Sequence, residues 1–127
     1  MKKSFLSSKI HKATITDSHL DYEGSCEIDI SLLNAAGISV HEKIDIYNIT
    51  NGERFTTYAI EGKPETGNIC LNGACCHKAS IGDKVIICTY ADIDIKEIKN
   101  HKPKIIHVDD KNRILDSNNF DNVSLVE

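Results

Sequence analysis

The sequence predicts a mainly β fold, a small closed barrel, from three observations. Short stretches alternate apolar and polar residues, glycine turns separate them, and helical patterning is sparse. With 127 residues there is room for one domain and hardly for two. Hydrophobic residues make up 40% and charged residues 27%, the balance of an ordinary globular protein with a true core.

The elements follow in order. Leu6 to Thr16 reads as extended, with Ile10 and Ile15 as apolar anchors. Glu27-Ile28-Asp29-Ile30 alternates with period two, as a half-buried strand does. Ser31 to Gly37 predicts one or two helical turns, Ser31 as N-cap and Gly37 as the left-handed stop. Lys43 to Ile49 alternates again and runs into Asn51-Gly52, a strong hairpin signal. Arg54 to Ile60, rich in β-branched and aromatic residues, is the return strand. Glu65-Thr66-Gly67 is a turn, Asn68 to Leu71 a short strand, and Asn72-Gly73 a second tight turn. Ala74 to Ala79 suits a helical turn, and Ile81-Gly82-Asp83 leads into Lys84 to Tyr90. That last run is apolar at consecutive positions, which predicts a strand in the middle of the core. Asp92 to Asn100 has a weak helical pattern, Ile105 to Val108 predicts a last strand, and the Asn-, Asp- and Ser-rich tail from Asp116 should fray.

Composition narrows the function classes. A formal charge of −4 and scattered lysines argue against nucleic-acid binding, which calls for a basic face. No apolar run reaches the roughly 18 residues of a membrane span, and the basic Met1–Ser8 segment lacks the apolar stretch of a signal peptide. The chain reads as cytoplasmic, with no membrane partner. Five cysteines, Cys26, Cys70, Cys75, Cys76 and Cys88, show neither disulfide-like nor zinc-like spacing. Adjacent Cys75 and Cys76 beside His77 suit one tetrahedral metal poorly, so no metal is expected and the thiols read as small buried groups.

The informative segment is Tyr22-Glu23-Gly24-Ser25-Cys26. Taken alone, Gly-Ser is a turn between two strands. Its context is more specific. Lys9-Ile10-His11-Lys12 and His19 through Cys26 are followed by Asp45 through Ile60, then by Leu71-Asn72-Gly73-Ala74, His77 and Gly82-Asp83. Together, in register over roughly residues 1 to 90, these closely resemble the pyruvoyl-dependent aspartate 1-decarboxylases of pantothenate biosynthesis.

The resemblance implies a six-stranded double-psi β barrel over residues 1–127, assembled as a homotetramer with active sites between subunits. It implies a proenzyme cut between Gly24 and Ser25 into chains 1–24 and 25–127, with Ser25 becoming a covalent pyruvoyl group. Ser25 Oγ would attack the preceding carbonyl, and Gly24 would permit the strained turn that this needs. Thr57 is implied as the oxyanion donor and a substrate contact; without the resemblance it is an ordinary strand threonine. The pyruvoyl ketone is implied to take the amine of L-aspartate as a Schiff base, so that the α-carboxylate leaves as carbon dioxide. Tyr58 matches the proton donor, a phenol being a weak acid but adequate toward a carbanion. Arg54 offers a planar fork for a carboxylate and Lys9 a second cation. Asn72, Gly73, Ala74 and Cys75 match the substrate-binding turn, and His11, Tyr22 and Tyr47 match supporting positions.

Departures are few. Tyr47 stands where the family commonly has Trp, and Cys75 and Cys76 replace small residues. His77 is kept without a defined role. A pyruvoyl decarboxylase acting on glutamate, and a non-enzymatic barrel that binds a partner, are the competing readings; the need for an accessory maturation protein is left open.

Overall fold

The computed structural model describes residues 1–115; the predicted fraying of the tail falls outside them. The elements are β1 Lys2–Thr14, β2 Asp17–His19, β3 Ser25–Asp29, helix α1 Ile30–Ala36, β4 Lys43–Asn48, β5 Arg54–Gly62 and β6 Ile69–Asn72. A 3₁₀ turn Gly73–His77, β7 Lys84–Asp94, a second 3₁₀ turn Ile95–Asn100 and β8 Lys104–His107 complete them. Among the described residues no helix is long and apolar enough to cross a membrane.

All the strands join one mixed sheet in the hydrogen-bonded order β2-β6-β3-β5-β4-β7-β1-β8. The β1/β8, β2/β6 and β3/β5 pairs are parallel and the others antiparallel. The mainly β expectation holds. The strand count is eight, and the sheet's ends are the short β2 and β8, of three and four residues.

Alternation explains how the sheet buries one face. Along β4, Ile44 and Ile46 are fully buried while Lys43, Asp45 and Tyr47 turn outward. Ile10, Ile15, Ile28, Ile69, Leu71, Val85 and Ile87 meet them, and Leu32 and Leu33 of α1 close the cluster. Each such side chain contributes about 1.5–3 kcal/mol by leaving water. β7 lies between β1 and β4, as its apolar run predicts, and continues to Asp94, further than its sequence pattern indicates.

Two local expectations change. The N-cap of α1 is Asp29, not Ser31: Asp29 Oδ1 accepts from the Ser31 backbone N–H at 2.8 Å. The same carboxylate accepts from the N–H groups of Glu65 at 3.0 Å and Gly67 at 2.9 Å, and Ser31 Oγ shares the Glu65 N–H at 3.3 Å. Gly37 closes the helix at φ 73°, as predicted. Asn51-Gly52 does turn β4 back into β5. Asn72-Gly73 makes no hairpin, since Asn72 ends β6 inside the sheet and Gly73 starts the 3₁₀ turn.

Candidate active site

Ser25 is the first residue of β3, only 3% exposed, directly after the exposed loop Tyr22–Gly24. It lies opposite Asn72 in the antiparallel β3/β6 ladder, so the two side chains share a face. Asn72 Nδ2 donates to Ser25 Oγ at 3.0 Å, and Ser25 Oγ lies 3.4 Å from the Glu23 carbonyl, to which it donates. The hydroxyl is therefore both polarised and aimed back along its own chain.

The strain expected at Gly24 is found at Gly73 instead. A Cβ on Gly24 would meet only the Asn72 carbonyl oxygen, at 3.9 Å. Gly73 has φ +71°, and a Cβ there would lie 2.8 Å from both Cα and N of Gly24 and 3.0 Å from the Tyr22 carbonyl oxygen. Only glycine lets the Asn72 turn press so closely on the backbone of Gly24, the residue just before Ser25. A buried hydroxyl beside a clamped peptide is the arrangement an intramolecular acyl shift needs.

An open pocket of about 450 Å³ lies over Ser25, walled by Tyr22, Glu23, Glu27, Tyr58, Ile60 and Asn72. Tyr58 reaches it because β3 and β5 run parallel with Cys26 beside Ala59, which puts Ser25 and Tyr58 on one face. Thr57 points the other way. It sits opposite buried Ile44, whereas Tyr58 sits opposite exposed Lys43. Tyr22 stacks on His19 with ring centroids 4.6 Å apart.

The predicted cations are not at this pocket. Arg54 lies four residues from Tyr58 on the same face of β5, a strand distance of roughly 13 Å, with its guanidinium 4.5 Å over the Tyr47 ring. Tyr47 Oη in turn hydrogen-bonds Tyr90 Oη at 2.7 Å, and that bond, with burial, pushes the Tyr90 phenol up. Tyr47, where the family pattern has Trp, thus holds Arg54 on its ring and Tyr90 by its hydroxyl, outside the pocket over Ser25. Lys9 of β1 lies opposite Cys88, which lies opposite Asp45 and is pushed up by burial against the opposing pull of Lys9. His11 makes an edge-on contact with His107, centroids 5.3 Å apart. Among the described residues, Glu23 and Glu27 are the charged ones of the pocket wall.

Within the 3₁₀ turn, Ala74 and His77 are exposed, and half-buried Cys75 packs against the core rather than lining the pocket. The described cysteines are all free thiols, with Cys26, Cys70 and Cys88 buried. Among the described residues no group of His, Cys, Asp and Glu could hold a metal ion. Sequence reasoning missed Glu27 and Ile60 as pocket walls, although period two carries them onto the faces of Ser25 and Tyr58. It also missed His19, whose stacking on Tyr22 depends on the turn between β2 and β3.

The chain matches the family model described as aspartate decarboxylase over residues 1–115. It is 54% identical over 114 residues to the aspartate 1-decarboxylase of Ralstonia nicotianae, covering 90% of this chain and 95% of that one. It is 51% identical over 115 residues to that of Psychromonas ingrahamii, 91% of each chain. It is 48% identical over 120 residues to that of Cupriavidus necator, 94% of this chain and all of the other.

Proposed function

The chain belongs to the aspartate decarboxylase family, and from that premise we propose that it cuts itself at Gly24-Ser25 and then converts L-aspartate to β-alanine and carbon dioxide for pantothenate biosynthesis. The activity is that of a carboxy-lyase. Neither a glutamate-directed enzyme nor a non-enzymatic barrel gains support from the family match.

The observation that carries the maturation step is the Asn72 donor on a buried Ser25 Oγ, with Gly73 packed on the Gly24 backbone just before it. Ser25 Oγ adds to the Gly24 carbonyl carbon, and its proton passes to the departing Ser25 nitrogen as the peptide C–N bond breaks. An ester between Gly24 and Ser25 results, with Ser25 now N-terminal. Loss of the Ser25 α-proton then expels the Gly24 carboxylate from Cβ, leaving dehydroalanine. Addition of water and loss of ammonia convert this to a pyruvoyl cap on residues 25–127. Resemblance assigns Thr57 as the oxyanion donor, although its side chain faces away from the Ser25 pocket of its own chain, whereas Asn72 Nδ2 supports the attacking oxygen directly.

The residues present fit a pyruvoyl group. Ser25 starts a buried strand and faces an open pocket, and Asn72 Nδ2 offers a carbonyl there the donor now given to Oγ. The group supplies a ketone that takes up the substrate amine and withdraws the electron pair left as carbon dioxide departs. Tyr58, on the pocket wall, moves a proton from its hydroxyl to the substrate α-carbon.

A dicarboxylate needs cations, and the pocket wall of one chain offers Glu23 and Glu27 instead. Lys9 and Arg54 stand on the outward face of the sheet, so the reading includes a homotetramer whose subunits complete one another's sites. The six-stranded double-psi barrel remains part of the same reading, supported by the three parallel pairs within a largely antiparallel sheet. Intact-mass spectrometry tests the core of it. Purified protein should yield residues 1–24 and a 25–127 chain lighter by one ammonia than a serine-terminated fragment, while Ser25→Ala stays as one inactive chain. Cleavage that persists in Ser25→Ala would sink self-processing.

A further inference from the structure

We propose that Cys70 is a positioning residue for self-cleavage: its thiol donates to Asn72 Oδ1 at 3.4 Å and so fixes which end of that carboxamide faces Ser25. The inference rests on the self-cleaving role of Ser25 proposed above and deepens it.

Cys70 and Asn72 are two apart on β6 and share a face, opposite Glu27 and Ser25 of β3. Ser25 is 3% exposed and Cys70 and Asn72 are each 5% exposed, so water does not compete freely for these groups. A carboxamide rotated by half a turn has the same shape and the opposite hydrogen-bonding sense. In one orientation Nδ2 donates to Ser25 Oγ, leaving the hydroxyl proton aimed at the Glu23 carbonyl and a lone pair for attack. In the other, Oδ1 would accept the Ser25 proton and oppose its loss.

What breaks the tie is a donor at the far end of the amide, and the Cys70 thiol is that donor. Burial, then the carboxylates of Asp17 and Glu27 and the neighbouring Cys76, push this thiol up to about 11, so it keeps its proton at neutral pH. A thiolate there would repel Oδ1. The chain of donors then runs one way, from Cys70 to Asn72 to Ser25 to the Glu23 carbonyl.

The test compares two isosteric substitutions in the full chain, Cys70→Thr, which keeps a donor, and Cys70→Val, which does not. Cell-free synthesis followed by a timed gel gives the cleavage rate, and thermal unfolding of the Ser25→Ala forms gives stability at equal shape. Cys70→Val should cut about 10-fold more slowly than Cys70→Thr, the scale of one net hydrogen bond, with matching unfolding temperatures. In an Asn72→Ala background the two should cut at the same rate, because the amide that relays the effect is gone. Cys70→Ser against Cys70→Ala supplies the same comparison should the branched pair fail to fold. Equal rates for the donor and non-donor variants, or a difference that survives Asn72→Ala, overturn the inference. A parental chain that never yields two bands overturns self-cleavage itself and this inference with it, whereas cleavage in the parent with equal rates in the variants removes only the role of Cys70.

Discussion

Adjacent residues with opposite outlooks divide the work at the smallest scale. Thr57 lies opposite buried Ile44 and Tyr58 opens onto the Ser25 pocket, so the two side chains are separable by mutation. Thr57→Val keeps volume and removes the hydroxyl; it should accumulate uncut precursor, with cleavage slowed on the order of 10²-fold, as when an oxyanion donor is lost. Tyr58→Phe should cut normally and then form β-alanine slowly, because the general acid is missing. Band ratios and β-alanine release in the same preparations measure both. If Thr57→Val matures at the parental rate, the oxyanion role passes to Asn72, whose amide already touches Ser25 Oγ. Full-speed turnover by Tyr58→Phe would withdraw the proton-donor role.

Secondary-structure elements were legible where period and turn chemistry acted locally. The alternation of β4, the Asn51-Gly52 turn and the Gly37 stop needed only their own neighbours. Asp29 as N-cap was not legible, because it is selected by Glu65 and Gly67, residues distant in sequence. Gly73 was legible only as a tight turn for the same reason, since its constraint comes from Gly24 across the fold. The Asp29 junction between β3 and α1 carries its own prediction. Burial pushes this carboxyl up, but the N–H groups of Gly67, Ser31 and Glu65 outweigh it and hold it below its ordinary 3.8. A lowered folded value means stability that is present above the ordinary value and lost as pH falls through the folded one. Asp29→Asn should cost about 1–3 kcal/mol at neutral pH, and the gap from the parent should close at strongly acidic pH, once the carboxyl is protonated in both folded and unfolded chains. Unfolding in denaturant at both pH values, in a Ser25→Ala background, measures it; a gap independent of pH would show that the carboxylate charge is not what ties the junction.

At the scale of the whole molecule, the proposed cut divides a single sheet into two pieces. β1 pairs with β7 along most of its length and with β8 on its other side. Ile10 and Ala13 are fully buried and Ile15 nearly so, so the 1–24 piece carries part of the core. After cleavage this piece should co-elute with residues 25–127 in native chromatography and part from it only in denaturant. Its loss under native conditions would mean that β1 is held mainly by its covalent link. The placement of β1 also sets a clock. It leaves the ribosome first, yet the partners that it needs, Lys84 to Asp94 and Lys104 to His107, are made last. Asn72 and Gly73, which hold the scissile segment, are likewise synthesised some fifty residues after it. Such long-range pairings close late, so a half-made chain has no clamp on residues 24 and 25 and its serine is an ordinary serine. Translation would thus act as a safety catch on the proposed self-cleavage, which needs partners that are made late.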